Sequence, residues 1–206
     1  MRIGLIPMAA KPYHAGHHSL VQTASAENDQ VLLFISLSDR KRKGELTIRG
    51  RDMEKVWKEQ IESILPPNVS PVYGGIPVRK VYETLGDAEN QLLTTGETPA
   101  TYTVYSDPTD TARNYPPANR QKYFPTLFSE GYVAFAGEEN PGAFTRGEGT
   151  PDVSGTSMRA AIQSCDLDAL RKGLPQGIDA QKIYDTLCGD MSETLLRSYV
   201  KTIIVG

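Results

Sequence analysis

The chain has 206 residues, 39% hydrophobic and 23% charged, with a net charge of −3. It is too apolar and too nearly neutral for a disordered chain, and it lacks the basic excess of a general nucleic-acid binder. Roughly 70% of the unfolded surface is buried on folding at this length, enough for one sizeable core. Cys165 and Cys188 are too few for a disulfide scaffold, and no apolar run reaches the ~20 residues of a membrane span. A soluble cytoplasmic protein is expected, with no nucleic-acid or membrane partner.

In chain order, residues 2–7 form a short apolar strand ended by Pro7, and residues 16–26 have helical composition. Residues 30–36 are a continuous apolar run bounded by polar residues, as in a strand buried on both faces. Strand, helix and strand within about 35 residues make one βαβ unit. Residues 50–64 carry Met53, Val56, Trp57, Ile61 and Ile64 at helical spacing, and Pro66-Pro67 stops that helix. A strand is predicted over 69–73 despite Pro71, a helix over 77–93 with a break near Gly86, and a strand over 101–106. There Asp107-Pro108 signals a turn. A helix interrupted by Pro125 follows over 119–130, then a strand over 132–136. A Gly- and Glu-rich loop covers 137–149. Helices are predicted over 154–165, 166–174, 179–188 and 191–200.

Strands alternating with helices predict an α/β fold, a Rossmann-like doubly wound parallel sheet of about five strands with a helical C-terminal segment. One domain is expected over 1–206, with its core in 1–150 and a phosphate-binding helix and further helices in 151–206.

All three histidines, His14, His17 and His18, lie within five positions. The segment Lys11-Pro12-Tyr13-His14-Ala15-Gly16-His17 falls between the first strand and the first helix, where open α/β sheets bind ligands. Pro12 stiffens the loop, and Gly16 lets a phosphate approach the backbone. The helix N-terminus offers N–H groups to an anion. Two imidazoles three residues apart can donate to charge developing on a phosphate. A metal pair or a capping cluster is the rival reading, but zinc needs three or four ligands. No protein metal site is predicted. His18 lies further round the helix and reads as packing or solvent-facing.

This segment resembles the first signature of the HIGH-superfamily nucleotidyltransferases, Gly-x-Phe-Asp/Gln-Pro-x-His-x-Gly-His, at Pro12, His14, Gly16 and His17. Met8, Ala10 and Lys11 replace the family's Gly, Phe and Asp or Gln. Lys11 brings an ammonium within reach of the α-phosphate.

Val153-Ser154-Gly155-Thr156-Ser157-Met158-Arg159 resembles the same family's second signature, Ile-Ser-Ser/Gly-Thr-x-x-Arg. From the residues alone, Ser154 or Thr156 caps a helix and Arg159 offers a bidentate fork. The resemblance implies that Ser154, Gly155, Thr156, Ser157 and Arg159 hold the terminal phosphates of a nucleotide. It also implies an α/β fold, catalytic roles for His14, His17, Lys11 and Arg159, and Mg²⁺ bound with the nucleotide.

The implied reaction is transfer of AMP, or next CMP, from an NTP to a small phosphorylated acceptor, nicotinamide mononucleotide being one. The Ser-Gly-Thr form resembles archaeal-type nicotinamide-mononucleotide adenylyltransferases, and His-Ala-Gly-His-His-Ser-Leu-Val is similar to pantothenate synthetases. The alternatives are a nucleotide-binding protein without turnover and an adenylate-forming ligase. A homo-oligomer is compatible with either.

Weaker signals complete the reading. The basic run 40–43, with Arg49 and Arg51 beyond it, is either a solvated loop or a flap over substrate phosphates. Arg51 is its best single candidate. Ser106 and Asp107 end the fourth strand, where they are either acceptor contacts or an Asp-Pro turn. Trp57 reads as core rather than as a base-stacking platform.

Overall fold

The structure, a computed structural model, describes residues 1–41, 43, 47–139 and 153–187. Its elements in chain order are β1 (Arg2–Met8), α1 (Ala15–Glu27), β2 (Gln30–Ile35), α2 (Gly50–Val56), β3 (Val69–Tyr73), α3 (Pro77–Thr95), β4 (Thr101–Val104), α4 (Pro108–Asn114), α5 (Pro117–Tyr123), α6 (Pro125–Ser129), β5 (Val133–Phe135), α7 (Ala136–Glu139), α8 (Gly155–Gln163), α9 (Leu167–Gly173) and a helix α10 over 180–187. Among the described residues no helix is long and apolar enough to cross a membrane.

The described chain divides into two compact units. One is built from Met1–Ala10, Gly16–Ser36 and the described part of Leu65–Thr150. The other is built from Lys11–Ala15 and the described parts of Leu37–Ile64 and Pro151–Gly206.

The first unit holds a five-stranded sheet in the order β3-β2-β1-β4-β5, with every pair parallel. This is the predicted α/β architecture with flanking helices. One face carries Ile3, Leu5, Phe34, Val104, Val133 and Phe135, packed with Val81, Leu85 and Ala88 of α3 and with Phe124 and Leu127. Alternation turns Gly4 and Tyr105 to the other face. There a Cβ on Gly4 would meet Asn28 Nδ2 at 3.1 Å, and Asn28 donates to the Tyr105 hydroxyl at 2.7 Å. Tyr105 in turn donates to Glu27 at 2.6 Å, which seats the end of α1.

Several expectations are corrected. Asp107-Pro108 starts α4 rather than a turn: the Asp107 carboxylate accepts the Asp110 N–H at 2.8 Å, and Pro108 occupies the first helical position, where no N–H is needed. Pro125 likewise opens α6 instead of interrupting one helix. α3 runs through Gly86 without a break and ends at Gly96, whose left-handed backbone (φ +67) caps it on the Leu92 carbonyl. β4 stops at Val104, two residues early, β5 stops at Phe135, one residue early, and 137–139 belong to a helical turn rather than loop. The rest of the predicted loop, the 191–200 helix and Cys188 lie outside the described residues.

The second unit gathers three separate pieces of chain. Its 50–64 stretch is helical as predicted, α2 widening into a π turn over Trp57–Ile61 and tightening into a 3₁₀ turn over Glu62–Ile64. Trp57 is fully buried, with its ring edge-on to Tyr13 at 4.8 Å, so it serves as core. α8 and α9 pack together, and Gly173 lies where a Cβ would run into the Met158 sulfur.

Candidate functional site

In the first unit, the chain runs outward from β1 through β2 to β3 and then resumes on the other side of β1 with β4 and β5. The switch point therefore lies between β1 and β4, the place where open α/β sheets bind ligands beyond their carboxyl ends. α1 follows β1 and carries Gly16 and His17 in its first turn. His17 and His18 are half-buried, and burial pushes the His18 imidazole below its ordinary pKa.

Ser106 and Asp107, predicted as substrate contacts, follow β4. Both side chains have partners inside the unit. The Ser106 hydroxyl shares a 2.6 Å bond with Thr111, and the Asp107 carboxylate caps α4. Gly137 approaches the Ser106 carbonyl so closely that a Cβ there would lie 2.5 Å from it.

Sequence reasoning missed Arg120 here. It is buried at 3% exposure, donates to the Tyr115 carbonyl at 2.6 Å, pairs with both oxygens of Glu138 and lies 3.8 Å above the Phe135 ring. These contacts tie α5 to the end of β5.

In the second unit, Lys11 and His14 are both buried, at 7% and 8% exposure. The Lys11 ammonium donates to the Ser38 carbonyl and lies 3.4 Å from the Ser38 hydroxyl. Burial lowers the Lys11 pKa most strongly; Asp39 opposes that shift and Arg40 adds to it.

The second motif forms the start of α8. Ser154 and Ser157 cap each other: Ser157 N–H donates to Ser154 Oγ at 3.0 Å, and Ser154 N–H donates to Ser157 Oγ at 2.9 Å. This capping box occupies both hydroxyls, which leaves Gly155 and Thr156 at the first two helical positions, whose N–H groups have no intrahelical acceptor. Arg159 Nη2 donates to Thr156 Oγ1 at 2.9 Å, and Nη1 donates to the Lys11 carbonyl at 3.2 Å. Two motifs 148 positions apart thus meet through one guanidinium.

The basic run begins next to these groups. Arg40 and Ile48 exchange backbone bonds of 2.8 and 3.1 Å, closing an excursion of the chain. Asp39 Oδ1 accepts the Gly50 N–H at 3.0 Å, and Lys41 Nζ lies 3.2 Å from Asp39 Oδ2. The Gly50 amide, then Lys41 and Lys11, hold the Asp39 carboxyl below its usual pKa. Gly50 presses on the Leu37 carbonyl, where a Cβ has no room. Arg51 is exposed and pairs with Asp52 at 3.3 Å; Arg42 lies outside the described residues. Ser38 and Asp39 were not singled out from the sequence, since nothing in Ser-Asp separates this pair from an ordinary turn. No cluster of three or more His, Cys, Asp or Glu suited to a metal ion occurs among the described residues.

Residues 3–62 match the model of the citrate lyase ligase C-terminal domain, a nucleotidyltransferase-like domain family. The match spans β1 through α2 and contains the first motif and the basic run; the second motif falls outside it. No curated protein matches the chain.

Proposed function

We propose that this protein transfers a nucleoside monophosphate from an NTP to a small phosphorylated acceptor and releases pyrophosphate. The observation that carries the reading is the Arg159–Lys11 bond, which joins the two phosphate-directed motifs in one frame. In the reaction an acceptor oxygen attacks the α-phosphorus in line, the α–β bond breaks, and its electron pair leaves with pyrophosphate. No protein nucleophile is needed, so catalysis comes from positioning and from donors aimed at developing charge.

His14 and His17 donate to the α-phosphate oxygens. The Gly155 and Thr156 amides and Arg159 hold the departing phosphates, while Ser154 and Ser157 keep the helix start in shape. Arg51 meets the acceptor phosphate. Ser106 and Asp107, whose side chains also bond within the unit, are weaker acceptor contacts at the end of β4. The donor set is cationic or neutral, which fits Mg²⁺ held by phosphate oxygens rather than by protein carboxylates; when bound, Mg²⁺ neutralises phosphate charge. ATP is the first choice of nucleotide and CTP the second, and nicotinamide mononucleotide is one acceptor to try.

A second reading is favoured by the matched family's name, which speaks of a ligase. In it a carboxylate replaces the acceptor phosphate and forms an acyl-adenylate with release of pyrophosphate; a second nucleophile, such as an amine or thiol, then attacks the acyl carbon and AMP leaves.

The test is a pyrophosphate-release screen of four NTPs against small phosphates and carboxylates. His17→Ala is expected to lower the rate ~10²–10³-fold, the usual loss for one such donor. An unchanged rate would overturn the assignment of His17. Nucleotide binding without pyrophosphate release across the panel would instead mark a binding protein.

A further inference from the structure

An ammonium taken out of water is costly unless its donors are met. The Lys11 ammonium is buried, and it meets Ser38 through both the carbonyl and the hydroxyl. Ser38 begins the neck of the excursion that carries the basic run. That neck is closed by the Arg40–Ile48 bonds, by Asp39 on the Gly50 amide, and by Gly50 against Leu37. The carbonyl of Lys11 meanwhile accepts from Arg159. One residue therefore joins the neck, through its side chain, to the guanidinium of the second motif, through its main chain.

We infer that Lys11 is a positioning residue, whose ammonium fixes the neck of the basic excursion so that Arg40, Lys41, Arg49 and Arg51 keep a set spacing from Arg159. This replaces direct contact with the α-phosphate, the role the sequence suggests for Lys11. The inference rests on the nucleotidyl-transfer reading for what these cations recognise, an anionic acceptor, but not for the tie itself.

The tie is tested on the full chain by hydrogen exchange at the bonded amides of Arg40, Ile48 and Gly50. Lys11→Met keeps the unbranched apolar stem of the side chain and removes its donors. It is expected to speed exchange at these three amides by about tenfold or more, while the β1–β2 ladder keeps its protection. Lys11→Arg, which retains donors for Ser38, is expected to keep most of the protection. Lys11→Gln, a shorter side chain with a neutral amide in place of the ammonium, serves if Lys11→Met does not fold. Unchanged exchange at the three amides overturns the inference, and so does equal acceleration in the sheet.

Where the wild type releases pyrophosphate, Lys11→Met is expected to raise the acceptor KM about tenfold and to lower kcat less than threefold. A kcat loss of ~10²-fold or more at unchanged KM would place the ammonium on the reacting phosphate and overturn the positioning role. A wild type that releases no pyrophosphate with any pair sinks the transfer reading, and the exchange result still decides the tie.

Discussion

At the scale of single residues, the second motif depends on one missing side chain. Gly155 opens α8, and a Cβ there would lie 3.0 Å from Arg159 Nη1, the nitrogen that bonds the Lys11 carbonyl. Alanine is the better helix former, so Gly155→Ala leaves α8 as stable as before or slightly more so. The guanidinium, being the end of a flexible chain, gives by a few tenths of an ångström and so loosens its hold on Lys11. The expected outcome is unchanged urea stability with triphosphate affinity weakened about tenfold, roughly 1.4 kcal/mol. Calorimetric titration with ATP checks it, and full affinity in the variant would show that the Arg159–Lys11 bond is dispensable for binding.

At the scale of elements, helix starts are made by residues from elsewhere as well as by their own caps. α6 has no side-chain cap of its own. Its first amides, Thr126 and Leu127, donate instead to the two carboxylate oxygens of Glu89 on α3, at 2.9 and 2.8 Å. Burial is the strongest single influence on Glu89 and pushes its pKa up. The Leu127 and Thr126 groups together outweigh it and hold the carboxyl below its ordinary value. A carboxyl with a lowered folded pKa adds stability above its unfolded pKa, about 4.3, and that stability is lost as pH falls through the folded value. Glu89→Gln can accept at one oxygen only and presents N–H groups to the other amide. It is expected to destabilise the fold by ~1–3 kcal/mol at pH 7, with a smaller penalty in acid. Urea unfolding at pH 7 and near pH 3 checks this, and an equal penalty at both would show that the carboxylate charge plays no part.

At the scale of the whole molecule, the second unit is assembled from three pieces of chain that the sheet's own segments interrupt. Each of these pieces carries a proposed phosphate-reading group or its support: Lys11 and His14 in the first, Ser38 and Arg51 in the next, the α8 motif in the third. A ligand that engages the native arrangement and not the unfolded chain stabilises by mass action, about 2.7 kcal/mol at one hundred times its Kd. For a chain of this size that corresponds to a Tm rise of roughly 5–10 °C. The nucleotide that serves as donor is expected to give that rise in a thermal scan with Mg²⁺, and Arg159→Ala to abolish it. No rise with any of four NTPs would remove the nucleotide from the reading.

Much of the architecture was legible in the sequence because burial leaves a periodic trace. The unbroken apolar run of β2 read as a strand covered on both faces, and the alternation of strands and helices implied the parallel sheet that is present. Prolines were the main source of error. Asp107-Pro108 and Phe124-Pro125 read locally as turns or breaks, yet each proline is at a helix's first position, where its missing N–H costs nothing. Strand order, the Glu89 cap and the Arg120–Glu138 pair left no trace in spacing, since their partners lie far apart in the chain. The same holds within the candidate site. The sequence by itself determined the residue types suited to phosphate, namely the paired histidines, the capped Ser-Gly-Thr start and the arginine three positions beyond it. Tertiary structure decided what those residues touch. It set Arg159 on the Lys11 carbonyl and turned the Lys11 ammonium to Ser38, because a buried charge takes the partners that folding brings within hydrogen-bond reach.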